Sequence, residues 1–255
     1  MKKSKSKILT LLTVGVALLS GCSAIDSFSA SNEPTIQKQD NSKIGGLSSK
    51  DYQKLSQLNY RKGDPMVKQV NHGRSTLNFK WKSDRIIYQN LDKLNRTSGS
   101  TTAYLDKRNL ANQSKRTRQT VKPTGWHYPY RNGKQIYNRG HLIAYSLSGG
   151  INSAGKYTGR AVGDQNNPKN LFTQTAYSNQ NLQTEYEDQV REAIRSGQKV
   201  IYQATPIFRG DELMARGINL QAKSKSDMLN FNVYIFNVQP NYQFNYRNGS
   251  IKNRS

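Results

Sequence analysis

Between Tyr137 and Leu142 an otherwise apolar run is broken by Asn138, Arg139, Gly140 and His141, inside the stretch QIYNRGHLIAYSLSGG at residues 135–150. An imidazole with an ordinary pKa near ~6.5 can take a proton from water close to neutral pH. A guanidinium two residues away offers a fork of donors that matches phosphate oxygens. A glycine between them lets the backbone bend and come close to a ligand. Together these residue types suit hydrolysis of a phosphate ester, with a base for the water and a cation for the charge. The chain has three histidines, His72, His127 and His141, and of these His141 alone stands in such company.

A base facing phosphate also needs an electrophile. The sequence contains no H-E-x-x-H and a single cysteine, Cys22, so no zinc-type ligand set is written into it. Magnesium suits better, because it keeps several waters and takes only one or two protein oxygens. A candidate ligand lies in NQNLQTEYEDQVREAIRSGQ, after Ser178. Leu182, Tyr186, Val190, Ala193 and Ile194 recur there at helical spacing. At about 100° per residue they make one stripe, and Gly197 is a natural stop. Asn179 extrapolates onto the middle of that inward face, which is costly for an amide unless it is bonded. Its side-chain oxygen could hold a metal, and Glu187, flanking the same stripe, could anchor the metal's waters. Arg191 follows one turn later.

Strands must carry the other half of this site. TTAYLDKRNL and GWHYPY have the β-branched and aromatic enrichment of strands, and RIIYQNLDKLNR places Ile86, Ile87, Leu91 and Leu94. KVIYQATPIF and LNFNVYIFNV read as central strands, the second alternating Leu229, Phe231, Val233 and Ile235 on one face. Arg247, Asn248 and Gly249 supply a turn before the tail. The mixture predicts an α+β fold, a central antiparallel β-sheet with packed helices.

NRGHLIAYSLSGG, followed by NNPKNLFTQTAYSNQ and YEDQVREAI, closely resembles the DNA/RNA non-specific endonucleases of the ββα-metal fold. This is the group of the Serratia extracellular nuclease, and the likeness is greatest to the surface nucleases of streptococci. It covers roughly residues 55–250 and includes VNHGRSTLNF and TGWHY. The resemblance implies a ββα-metal active-site motif with His141 as general base and Asn179 as direct ligand of Mg2+, for which Mn2+ can substitute. It makes Glu187 a metal partner through water, puts Arg139 and Arg191 near the phosphate, and aligns Asn170 and Gln174 with polar positions lining the site. For those last two, a satisfied loop or strand hydrogen bond is the competing reading. For the two arginines the rival is a surface ion pair, since Arg191 stands four residues after Glu187. The family's motif usually begins with Asp, and Asn138 stands there instead. The loss of that charge weakens any role in orienting Arg139 or raising the imidazole's basicity, so a shifted pH optimum is expected.

Charge and termini complete the expectation. The chain carries 39 Lys and Arg against 16 Asp and Glu. Setting aside Lys2, Lys3, Lys5 and Lys7 leaves 35 cations against 16 anions, a surplus of 19 that suits a polyanion. Those four lysines precede an apolar stretch from Ile8 to Leu19 that is shorter than the ~20 residues of a membrane span. The stretch closes on Leu19-Ser20-Gly21-Cys22, which resembles a lipobox. The expected organisation is a lipoprotein signal peptide over 1–22, a flexible polar tether over 23–52 and an endonuclease domain over 53–255. The expected protein is an exported, lipid-anchored, magnesium-dependent endonuclease with little sequence preference, acting on DNA and RNA without a small-molecule cofactor and leaving 5′-phosphates. The rival class is a non-catalytic surface lipoprotein that binds nucleic acid or wall polymer, and a capture module would need neither His141 nor Asn179.

Overall fold

The apolar and aromatic runs near the C-terminal end become the spine of the molecule. The computed structural model describes residues 44–160 and 162–252. In chain order the regular elements are helix α1 (Ser49–Ser56), strands β1 (Val67–Gln69), β2 (Arg85–Ile87), β3 (Thr101–Leu105), β4 (Tyr130–Arg131), β5 (Lys134–Gln135), β6 (Tyr137–His141) and β7 (Leu171–Thr175). Helix α2 (Thr184–Arg195) follows, then β8 (Val200–Ile207), β9 (Gly217–Ser224), β10 (Asn230–Phe236) and the short pair β11 (Phe244–Asn245) and β12 (Ser250–Ile251). Six strands form one sheet in the order β1-β10-β9-β8-β3-β2, every neighbour antiparallel. The fold is α+β, as the sequence predicts.

Alternation along the strands divides the sheet into two unlike faces. Leu229, Phe231, Val233 and Ile235 of the β10 region join Tyr202, Ala204, Leu220 and Ala222 in the main core, and Val190 and Ile194 of α2 pack into the same cluster. On the reverse face Tyr234 and Phe236 pack with Tyr52 and Leu55 of α1. That reverse face also buries amides. Gln203, Asn219, Gln221 and Asn232 are each no more than 1% exposed. Two are satisfied by the chain laid over them, Gln203 Oε1 accepting from Leu47 N at 3.2 Å and Gln221 Oε1 from Thr76 N at 2.9 Å, while Asn219 donates to Asn232 Oδ1 and Val233 O within the sheet. An unpaired buried amide costs about 1–3 kcal/mol, so these bonds hold the covering segments in place.

Several expectations change here. Residues 44–52, assigned to the tether, belong to the folded body. Gly45 bridges Leu77, and Ser48 caps α1 by accepting from Asp51 N. The low apolar content of this segment hid the fact that the sheet recruits it through side-chain amides. The expected signal peptide with Cys22, and the part of the expected tether over 23–43, lie outside the described residues. GWHYPY supplies a strand only at its last residue, Tyr130, and in TTAYLDKRNL the strand stops at Leu105, before a 3-10 turn over Lys107–Asn109. Strand β9, GINLQAKS, went unread because its alternate positions Asn219 and Gln221 are polar yet buried.

Candidate active site

Strands β6 and β7 form a separate antiparallel pair, with Asn138 opposite Gln174 and His141 opposite Leu171. The polypeptide then passes through a π-helical turn, Ser178–Gln183, directly into α2. Two strands and a helix thus enclose the segment that carries most of the predicted site residues. The widened turn matters, because π geometry is rare and gathers at functional sites. It breaks the phase assumed by a uniform 100° step. Val190, Ala193 and Ile194 are buried, whereas Leu182, Tyr186 and Asn179 are half-buried. The helix ends at Arg195, and just past its cap Gly197, with a φ of +85°, allows Gln198 N to reach Ala193 O at 3.0 Å.

The strand is not interrupted where the sequence suggested. β6 runs unbroken from Tyr137 to His141. Gly140 serves a close approach instead of a bend: a Cβ there would lie 2.2 Å from Gln174 Oε1. The glycine is the slot across which the Gln174 side chain lies.

His141 is buried at 6% exposure, and its Nε2 meets the backbone oxygen of Gln165 at 3.1 Å. A carbonyl can only accept, so Nε2 carries the proton and Nδ1 keeps the lone pair in the neutral ring. Burial pushes the imidazole pKa down to about 4, and the charge of Arg116 pushes the same way, against the backbone bonds that favour the cation. His141 is therefore neutral at pH 7, the state a proton acceptor requires.

Glu187 is also buried, and burial raises its pKa to about 7 while the Gln183 amide, Arg191 and Arg116 pull it down. The same Arg116 thus acts on both His141 and Glu187, and Arg118 acts on Arg139. These two exposed loop arginines were not singled out from sequence; the cluster Lys115, Arg116 and Arg118 is the signal that could have found them.

Arg139 is held without any acidic partner among the described residues. Its Nε donates to Val121 O, and its guanidinium lies 4.3 Å from the centre of the Trp126 ring. Arg191 is closer to the ion-pair reading: it contacts Asp188, lies 4.0 Å from Glu187 and donates to Ser146 Oγ at 2.8 Å.

The Asn138 amide makes no hydrogen bond to Arg139 or to the imidazole among the described residues. Instead its Nδ2 donates to Asn179 Oδ1 at 2.9 Å. Asn170 is a staple: fully buried, it accepts from Ile143 N at 2.9 Å and donates to Ile143 O at 3.0 Å, the loop bond weighed against a substrate role. Gln174 is equally buried and binds Asn179, Ser178 and Gln183, so it orders the site from beneath. Gln183 was missed altogether. It is fully buried and bonds Gln174, Glu187 and His141 O. The helical stepping that selected Leu182 and Val190 also places residue 183 inside their stripe, so a polar residue on the apolar face was the available clue.

A divalent ion would find hard oxygen donors here. Asn179 is half-buried, and one donor, Asn138, uses only part of the two-lone-pair capacity of its Oδ1. Among the described residues no group of three or more His, Cys, Asp or Glu side chains is placed to hold a metal. That donor chemistry fits magnesium, which retains its waters, better than a soft metal.

A family model described as DNA/RNA non-specific endonuclease matches residues 75–226. Among solved structures, NucA from Streptococcus agalactiae with magnesium ion bound is 27% identical, with a TM-score of 0.64 over 81% of this chain and 98% of that one. The same nuclease with no metal bound gives 28% identity and a TM-score of 0.62, covering 80% of this chain and 97% of that one. Sda1 nuclease with bound zinc ion, at 19% identity and a TM-score of 0.57 over 74% and 97% of the two chains, shares the fold.

Proposed function

The chain belongs to the DNA/RNA non-specific endonuclease family, and from that premise we propose that it is a magnesium-dependent nuclease cutting DNA and RNA internally, with His141 as its general base. The observation that carries the assignment is the setting of that residue: buried on β6, with Nε2 donating to the Gln165 carbonyl so that Nδ1 keeps the lone pair. His141 takes the proton from water as it attacks phosphorus in line, and departure of the 3′ oxygen leaves a 5′-phosphate.

Asn179 would hold the ion, with Glu187 acting through water. When bound, magnesium supplies Lewis-acid stabilisation of the charge gathering on the phosphate. NucA, solved with that ion, supports the choice of metal, and Mn2+ is expected to substitute. Arg139, stacked on Trp126, and the neighbouring Arg116, Arg118 and Arg191 bring positive charge to the phosphate backbone. Phosphate contacts carry no base information, which matches weak sequence preference. Asn138 sets the environment of Asn179 beside this path. Export with lipid attached at Cys22 rests on the N-terminal sequence.

The test is degradation of supercoiled plasmid and of RNA with magnesium or with EDTA, beside His141→Ala and Asn179→Ala. Metal-dependent cleavage that both substitutions abolish is the expected result. Tight binding of plasmid without cleavage in any metal would instead favour the capture protein.

A further inference from the structure

Five side-chain amides join head to tail across the site. Gln135 Nε2 donates to Asn138 Oδ1 at 2.6 Å, and Asn138 Nδ2 to Asn179 Oδ1 at 2.9 Å. Asn179 Nδ2 then donates to Gln174 Oε1 at 3.0 Å, and Gln174 Nε2 to Gln183 Oε1 at 3.0 Å. Gln183 Nε2 finishes the row on Glu187 Oε1 at 2.8 Å and on His141 O at 2.9 Å.

An amide has two ends of nearly equal shape and opposite chemistry, and only the oxygen can meet a cation. What decides the orientation of Asn179 lies two residues deeper. The backbone carbonyl of His141 cannot donate under any condition, so the nitrogen of Gln183 must face it. Its oxygen then faces Gln174, which must answer with nitrogen, and the oxygen of Gln174 in turn demands the nitrogen of Asn179. Turning one amide sets two like groups against each other, and turning all of them sets the Gln183 oxygen against the His141 carbonyl. Gln174 and Gln183 are fully buried, so no solvent is at hand to satisfy a reversed group.

We infer that Gln183, acting through Gln174, is a positioning residue that fixes the side-chain oxygen of Asn179 toward the site and so prepares it for a divalent cation. His141 then serves twice, its ring as the base and its carbonyl as the reference for this row. The inference rests on the reading of Asn179 as the metal-holding residue.

Binding of Mn2+ to the full-length chain, without substrate and followed by the electron paramagnetic resonance of the free ion, tests it. Gln183→Met keeps the length of the side chain and removes both polar ends, leaving Gln174 free to turn. With the two orientations of the row then close to equal, about half the molecules present oxygen and the apparent Kd should rise about twofold. In an Asn179→Asp background the same substitution should leave Kd unchanged, because a carboxylate offers oxygen either way round. Gln183→Leu is read in the same manner should the methionine variant fail to fold.

An equal loss in both backgrounds would make Gln183 a packing residue and overturn the inference, as would no loss in the Asn179 background. Asn179→Ala with unchanged Mn2+ affinity would overturn the ligand reading itself. Asn179→Ala that weakens binding while Gln183→Met does not would overturn the positioning role alone.

Discussion

His141 and Glu187 carry opposite protonation debts, and their pH effects on stability oppose one another. The folded imidazole has a pKa of about 4, below its unfolded value, so its contribution is present above pH ~6.5 and lost as pH falls through about 4. The folded Glu187 carboxyl has a pKa of about 7, raised from 4.5, so its contribution is present below 4.5 and lost as pH rises through about 7. Between roughly pH 4.5 and 6.5 the two slopes cancel. In the metal-free protein Glu187→Gln should therefore uncover the histidine, and the unfolding free energy of that variant, from urea titrations, should fall by an amount on the order of 2 kcal/mol from pH 6.5 to 4.5 while the parent changes little on this account. A parent and variant with the same slope would contradict the burial of one of the two groups. Residue type, spacing and resemblance single out His141, Asn179, Glu187, Arg139 and Arg191, and the structure places His141 and Arg139 on β6, Asn179 in the turn before α2, and Glu187 and Arg191 on α2. What could not be read was how each is satisfied, since a fully used amide such as Asn170 and a half-free one such as Asn179 look alike in sequence.

The antiparallel pair β6–β7 and the turn into α2 act as one unit, and Gly140 is a tight point in it. Gly140→Ala would press a methyl group against both Oε1 and Cβ of Gln174, at 2.2 and 2.8 Å. The oxygen end is tied to Asn179 and cannot swing away freely. The expected cost is about 1–3 kcal/mol, as for overpacking elsewhere, measured by thermal or urea unfolding. Mn2+ affinity should fall in the same variant, whereas Gly133→Ala, at a glycine whose Cβ position has nothing within 4 Å, should spare the metal site. Helix α2 and strands β8 and β10 announced themselves by periodicity. The π-helical turn did not, because nothing in SNQNLQ separates it from an ordinary first turn. Strand β9 was hidden for a related reason: a buried face made of amides defeats a pattern rule built on apolar side chains.

Over the whole molecule the surplus of positive charge gains a local form where Arg116 acts on His141 and Glu187, Arg191 lies 4.0 Å from Glu187 and Arg118 acts on Arg139. If these four arginines neutralise phosphates, log Kd for duplex DNA, measured with the inactive His141→Ala variant, should vary with log salt at a slope of roughly 3.6 or steeper. Arg116→Ala should lower that slope by about 0.9, and an unchanged slope would remove Arg116 from the DNA path. The fold class and the presence of a large sheet were legible from the C-terminal runs; the order β1-β10-β9-β8-β3-β2 was not, because pairing between distant strands leaves no local mark.

The amides buried on the reverse face of the sheet also settle where the polypeptide enters the folded body. Leu47 is pinned to Gln203, and Gly46 O accepts from Thr76 Oγ1, on the side of the sheet away from α2. The first described residues therefore lie against the face of the sheet opposite α2. If the chain is attached through its N terminus, as the sequence predicts, a pull on that attachment would reach the folded body through the bonds of Leu47 and Gly46, on the face away from the helix that carries Glu187 and Arg191.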